Sequence, residues 1–192
     1  MCDECFLKKL VFLLVGLLIV SNAMAGERYD NAVKVTFLSW VTGSTKLSYE
    51  RVLPNRQSAE VCASVIGAGY DKYQNNPLGF TVRYSHKFFL GEGYDGGLSG
   101  FYVRPEVIYS HYDYDAVDSR MRTPARMGAL LATAGYQKSF GHFLLDAWVG
   151  GGCALGQAAE TGYHHGFALW NVFGQRNDNV ALSFSVRLGY CF

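Results

Sequence analysis

Hydrophobic and polar residues alternate along most of the chain that follows Asp30. From Phe184 to Phe192 every second residue is apolar or aromatic, and the residues between them are small or polar. Because successive side chains of a β-strand point to opposite faces, this alternation indicates a strand that lies between two different environments. The same pattern recurs in residues 78–90 and 100–112, where the polar face carries full charges.

The alternation predicts eight strands, at residues 33–40, 44–52, 59–70, 78–90, 100–112, 126–139, 142–155 and 179–192. Mostly tight connections alternate with the long polar connections 113–125 and 156–178, as expected for an antiparallel up-and-down sheet. Phe167, Leu169 and Trp170 are strongly apolar for a free loop. We therefore expect additional paired strand within residues 156–178.

The segment 1–25 has the pattern of a secretory signal peptide. Lys8 and Lys9 precede an apolar run from Leu10 to Val20, and small residues follow, up to Ala25. The run is shorter than the ~20 residues that a spanning helix needs, although an uncleaved N-terminal anchor is the alternative. Removal of this segment leaves residues 26–192, which we predict to form one domain.

Composition narrows the function classes. Lys and Arg number 17 and Asp and Glu 16, so no basic field is available to recruit nucleic acid. Charged residues make up only 17%, below the roughly 25% of soluble domains, and the chain has 22 Gly, 13 Tyr and 13 Phe. No glycine-rich phosphate loop or paired-cysteine motif is present, and we predict no cofactor. Three widely spaced cysteines follow Ala25, and we interpret Cys62, Cys153 and Cys191 as buried small residues.

Periodicity alone does not distinguish a soluble barrel from a membrane barrel, in which the apolar face is outside and the polar face is enclosed. The signal peptide, the even strand count and the aromatic last residue favour the membrane form. Eight strands also enclose too little room for so many Phe, Tyr and Leu side chains. We predict an all-β, eight-stranded, antiparallel up-and-down transmembrane β-barrel. A soluble periplasmic barrel that binds a small apolar ligand is an alternative.

In such a barrel the charged faces of the strands point inward, where ion pairing is nearly obligatory. Trp148 and Tyr102 lie on the same face and oppose a continuous water-filled path. We therefore predict a filled polar network rather than a conducting pore, formed by Lys46, Glu50, Arg83, Lys87, Arg104, Glu106, Asp146 and Arg187.

The chain resembles the small eight-stranded outer-membrane β-barrels of Gram-negative bacteria, such as the transmembrane domain of outer-membrane protein A. The resemblance rests on the signal peptide, the alternating strands, Phe192, and two segments similar to uncharacterised barrel families, 48–51 (Ser-Tyr-Glu-Arg) and 104–109 (Arg-Pro-Glu-Val-Ile-Tyr). It implies location in the cell outer membrane, contact with its lipid, and recognition of Tyr190 and Phe192 by the barrel-assembly machinery. Pro105 within a strand predicts a bulge or irregular pairing.

An enzymatic interpretation needs a nucleophile beside a base. The candidates are Ser110 with His111, and His164 and His165 with Glu160 or Asp178, and a lipid-modifying enzyme is thus a second alternative. Neighbouring residues of an extended chain point apart, which disfavours a metal held by His164 and His165. We predict a non-catalytic protein without a metal site.

Aromatic residues and histidines lie on or beside the long connections. Such loops on a rigid scaffold suit contact with an extracellular carbohydrate or protein. We therefore predict a structural scaffold whose surface loops bind a partner, with candidate residues His111, Tyr112, Tyr114, Tyr163, His164, His165 and Trp170.

Overall fold

The computed structural model describes residues 29–91, 93–94, 96–116, 119 and 121–192, so the predicted signal peptide lies outside the described residues. The strands in this part of the chain are β1 (Asn31–Val35), β2 (Ser44–Leu53), β3 (Gln57–Ile66), β4 (Leu78–Leu90), β5 (Gly100–Asp115), β6 (Arg122–Phe140), β7 (Phe143–Gln157), β8 (Ala168–Val172) and β9 (Gln175–Cys191). A short 3-10 helix, Phe37–Thr42, connects β1 to β2.

Eight of these strands form a closed antiparallel ring. Each strand from β1 to β6 pairs with the next one along the chain, β7 pairs with β9, and β9 pairs with β1. The closing ladder joins Ala32 to Cys191 and Val35 to Leu188. The predicted fold, an all-β antiparallel ring of eight strands with up-and-down order, is confirmed.

The strand bounds differ from the prediction at the end of the ring that carries the long connections. The first strand stops at Val35, and the 3-10 helix follows where strand was expected up to residue 40. Gly43 ends this helix in the left-handed conformation, with φ of 78°, which glycine adopts without a Cβ clash. β3 likewise ends at Ile66, before the predicted limit at residue 70.

Paired strand extends into both regions predicted as long loops. β5 and β6 continue past the rest of the ring, so that only residues 116–121 connect them. β8 and β9 form a hairpin whose turn residues Phe173 and Gly174 both have positive φ, as a tight hairpin turn requires. The strand expected within residues 156–178 is β8.

Pro105 lies in the middle of β5. Its ladder to β6 is continuous, whereas the ladder to β4 is interrupted between the pairs Ser85 with Glu106 and Phe88 with Val103. The register is the same on both sides of the interruption, so the pairing is irregular without a bulge. Proline has no N–H to donate, which accounts for the missing pairs.

The distribution of side chains is the reverse of that in a soluble barrel. Phe184 is 75% exposed and Leu155 73% exposed on the outside, whereas Arg104 is fully buried and Arg187 is 1% exposed. Most large apolar side chains of the strands follow the same rule. The described residues contain no helix of the length and apolar character that a membrane span requires.

The interior is not polar along its whole length, which departs from the predicted polar filling. Toward the end with the longer connections, the 158–167 connection between β7 and β8 turns into the ring and buries Phe167 beside inward apolar residues of β5, β6, β7 and β9. Small inward residues such as Ala129, Ala154 and Ala181 make room for it. This apolar contact needs the inward turn of the connection, which strand periodicity does not reveal.

Candidate functional site

A cluster of three cations and three carboxylates fills one level of the ring. The Asp146 carboxylate lies at its centre, with Oδ2 2.9 Å from Lys34 Nζ, 3.0 Å from Lys87 Nζ and 2.7 Å from an Arg187 nitrogen. Glu50 and Glu60 complete the cluster and pair with the same cations. We call these six residues the neutral cluster, because their formal charges cancel.

Sequence reasoning did not identify Lys34 and Glu60 as members of the network. Both fit the alternation: Lys34 stands between the outward Val33 and Val35, and Glu60 between Ala59 and Val61. Gln137 was also missed, and its side-chain oxygen accepts a hydrogen bond from Lys34 at 2.9 Å. The inward position of each could have been inferred from the period of two.

The three carboxylates of the neutral cluster lie close enough together to hold a metal ion, with ligand atoms within 4.8 Å of one another. Each of them, however, already faces a lysine or arginine at ion-pair distance. The formal charge is balanced without an ion, so the arrangement is that of a structural salt-bridge cluster.

Trp148 separates the neutral cluster from a second group of charges. Its ring stacks with Arg187 at 4.3 Å and Arg104 at 4.2 Å, measured from each guanidinium carbon to the ring centroid, and Arg83 lies 5.5 Å away. Cations over an indole face are attracted by its quadrupole. The inward tryptophan therefore stabilises guanidinium groups of both charge groups.

The second group has an excess of positive charge. Arg104 pairs with Glu106 at 2.8 Å, and Arg83 approaches the same carboxylate only to 3.7 Å. Arg83 also donates a hydrogen bond to the Gly166 carbonyl at 2.8 Å. Lys46 is buried, and among the described residues its ammonium has neither a hydrogen bond nor an ion pair.

All eight charged residues predicted for the network are buried inside the ring. The structure divides them between the neutral cluster, which takes Glu50, Lys87, Asp146 and Arg187, and the second group, which takes Lys46, Arg83, Arg104 and Glu106. Only three-dimensional registration of the strands reveals this division.

Four of the seven loop candidates are buried instead of presented to solvent: Tyr112, Tyr114, His164 and His165. Tyr112 donates a hydrogen bond to the Tyr163 carbonyl at 2.9 Å and meets the His165 ring edge-on at 4.9 Å between centroids. These contacts exist because β5 extends to Asp115 and carries Tyr112 and Tyr114 on its inner face, under the inward-turned connection. Tyr112 and Tyr114 thus pack inside the ring beside Ala159 of this connection.

His164 and His165 lie in the connection between β7 and β8, outside the ring strands. Burial lowers the pKa of His164 to about 4, and the nearby Arg176 contributes. Burial also lowers the pKa of His165 to about 3, with a smaller effect of Lys46. Both rings are therefore neutral at physiological pH, and neither has, within the described chain, the hydrogen-bonded acidic partner of a catalytic base.

The remaining candidates are separated. His111 is half-buried on the outer face and stacks on Phe80 at 5.6 Å, while Ser110 points inward and shares a hydrogen bond with Thr81 at 3.1 Å. Ser110 and His111 thus face opposite sides of the wall. Trp170 is exposed on the β8–β9 hairpin.

The cysteines differ in burial. Cys62 and Cys191 are buried, as expected from the sequence. Cys153 is exposed, contrary to expectation, because it lies on the outward face of β7. The prediction treated all three cysteines alike. Whether a cysteine is buried depends on whether its position falls on the inner or the outer face of its strand.

Tyr190 and Phe192 both point outward, each about half exposed. The Phe192 amide donates to the Asn31 carbonyl at 3.0 Å, so the last residue takes part in closing the ring. Their side chains are therefore accessible from outside the closed ring.

The wall is interrupted along one edge of β9. β1 pairs with this edge from Leu188 to Cys191, and β8 pairs with it up to Leu182. Residues 183–187 lie between the two ladders and have no strand partner on that edge within the described chain, although β7 pairs with them on the other. A cavity of about 140 Å³ lies here, beside the 3-10 helix.

The comparisons with known proteins give one structural similarity. The chain is similar to Neisserial surface protein A, at 11% sequence identity and a TM-score of 0.42, over 85% of this chain and 96% of that chain. No protein-family model and no curated protein matches the chain.

Proposed function

We propose that the protein is an integral outer-membrane β-barrel, non-catalytic, with a filled interior that makes it a rigid scaffold. The observation that supports this most strongly is the inverted distribution of side chains, with apolar residues outside and ion pairs within. In water, such a surface would expose a large apolar area, whereas hydrocarbon removes that cost.

The backbone suits the same environment. A lipid-embedded sheet has to satisfy its own hydrogen bonds, which a closed ring does. The strands β4 to β7 have lengths of 13, 16, 19 and 15 residues. These lengths exceed the ~9 to 11 residues that a tilted spanning strand needs. The longer connections at one end are then the surface loops, and the short turns face the periplasm.

The filled interior argues against a channel. The neutral cluster, the stacked Trp148 and the buried Phe167 occupy successive levels of the ring. We therefore expect purified protein in planar bilayers to show no steady single-channel conductance.

Cell fractionation combined with a heat-modifiability gel tests the membrane assignment. A closed membrane barrel should sediment with the outer membrane and migrate faster in detergent before boiling than after it. Recovery of all the protein in soluble periplasm would instead support the alternative of a soluble barrel.

A role in surface binding has one specific observation in its favour. Phe173 is fully exposed at the turn of the β8–β9 hairpin, and Trp170 is partly exposed on the same hairpin. An exposed aromatic pair on a two-stranded arm suits contact with an extracellular carbohydrate or protein. Binding of cells that display the barrel to an immobilised glycan panel tests this role. Cells with Phe173→Ser should bind fewer glycans than cells with Tyr70→Ser, the matched control at another exposed loop aromatic. Equal binding by both variants would exclude the hairpin turn as a glycan contact.

A further inference from the structure

We propose that the interruption in the wall beside β9 admits the anionic head group of a single-chain amphiphile, a carboxylate or a phosphate, which pairs with Lys46 and Arg83. The inference depends on the membrane location proposed above, because the opening then faces lipid.

The charges of the interior support an anionic ligand. Six cations and four carboxylates are buried among the described residues, which leaves two positive charges in excess. The neutral cluster is balanced, so the excess lies in the second group, formed by Lys46, Arg83, Arg104 and Glu106. A buried charge without a partner is costly, and an anion that entered here would remove that cost.

The two cations with the weakest pairing line the same cavity. Lys46 has no ion pair or hydrogen bond within the described chain, and Arg83 has a buried Nε without a hydrogen-bond partner. Hydroxyl groups from Ser39, Thr42 and Ser183 line the cavity as well. These hydroxyls already donate to the carbonyls of Thr36, Ser39 and Gly166 and add polar lining. The ammonium and the guanidinium supply the donors that match the acceptor-only oxygens of a carboxylate or phosphate.

The lining changes from polar to apolar across the wall. Ser183 and Lys46 belong to the inner face, whereas Leu182, Phe184 and Ala168 belong to the outer face, and all five line the cavity. A head group can thus lie inside while its chain lies along the outer apolar surface. Such a division between polar and apolar walls matches an amphiphile better than a free ion.

The size of the cavity limits the head group. A space of about 140 Å³ is close to the ~150 Å³ cavity that holds one benzene ring. A carboxylate or phosphate fits such a space, whereas a sugar-based head group does not. The ligand class is therefore a fatty acid or an alkyl phosphate.

The test uses the full chain purified as a folded barrel in a maltoside detergent, with radiolabelled palmitate and hexadecyl phosphate as probes. Hexadecanol has a chain of the same length without charge, and acetate and inorganic phosphate supply the charge without a chain. We expect saturable binding of a charged amphiphile, at least tenfold weaker after Lys46→Met or Arg83→Met. Lys46→Arg should retain binding, and Lys72→Met, in an exposed loop, should not change it.

A fluorescence unfolding curve in urea checks that each variant folds. Lys46→Met removes a cation without a partner, so its midpoint without ligand should equal or exceed that of the wild type. Equal affinity for hexadecanol, binding of acetate or phosphate alone, or unchanged binding by Lys46→Met would overturn the proposal. A heat-modifiable barrel in the outer membrane that binds no probe overturns this inference alone, whereas a soluble periplasmic chain overturns the membrane assignment too.

Discussion

The Arg104 guanidinium carbon lies 4.2 Å from the centroid of the Trp148 ring. Arg187 lies on the same indole at 4.3 Å, yet Arg187 belongs to the neutral cluster and Arg104 to the group with excess positive charge. The tryptophan is therefore the boundary between two levels of the interior. The formal charges of one level cancel, and the other level has excess positive charge and room for an anion.

The neutral cluster should depend strongly on Asp146. Asp146→Asn leaves Lys34, Lys87 and Arg187 with less compensation in a buried site, and breaking such a cluster costs about 3–5 kcal/mol. Urea unfolding of the detergent-solubilised barrel measures the loss. Asp115→Asn is the matched control at an exposed ion pair with Arg122, where we expect less than about 1 kcal/mol. Equal losses at the two sites would contradict the structural role of the cluster.

A charged residue placed on the outer face of the ring should destabilise the barrel. Val107 lies near the middle of β5 with its side chain half exposed on the outside. In a membrane barrel, Val107→Arg should destabilise by roughly 2–4 kcal/mol, the cost of arginine near the bilayer midplane. Refolding into phospholipid vesicles, followed by denaturant titration, gives the value. Phe173→Arg at the exposed hairpin turn should cost little, and a comparably small cost at Val107 would contradict the membrane assignment.

Acidic pH should weaken the inward-turned connection. The folded pKa values of about 4 for His164 and about 3 for His165 lie below the ordinary value of 6.5, so the unfolded chain binds more protons between these limits. The free energy of unfolding that the two buried neutral histidines contribute is therefore complete above pH 6.5. It decreases as the pH falls, by up to roughly 2 kcal/mol per histidine at pH 5.

Urea unfolding at pH 7.5 and pH 5 measures this difference, in a range above the ordinary pKa of carboxylates. The double variant His164→Gln and His165→Gln should lose most of the pH dependence while the barrel remains closed. An unchanged slope in the double variant would show that other groups titrate in this range.

The last strand should affect assembly in cells more than stability. The backbone of Phe192 pairs with Asn31, while its side chain is exposed on the outside of the ring. Phe192→Ala therefore removes an accessible aromatic group without opening a core cavity. We expect slower outer-membrane assembly in pulse-chase experiments and unchanged refolding in detergent. Leu188→Ala is the control for an outward residue of the same strand. Slower refolding of Phe192→Ala in detergent would assign the residue to stability instead.

The strand pattern predicted the ring well where a strand separates two environments, because such a strand alternates strictly. β4 has the bounds expected from the pattern, and the charged residues predicted for the network in β4, β5 and β7 point inward. Prediction was poorer at the long-connection end, where the chain is enclosed on more than one side. Tyr112 and His165 resemble exposed loop residues in sequence, yet they bury each other.

The order of residues along the chain is enough to establish the eight-stranded alternation and the face of each strand that carries charge, since both follow from a period of two along the backbone. Which charges meet depends on the folded ring. The neutral cluster joins Lys34, Glu60 and Asp146 from distant parts of the chain, and the wall opening arises because β1 and β8 leave residues 183–187 between them. Both features depend on strand registration around a closed ring, which local periodicity does not encode.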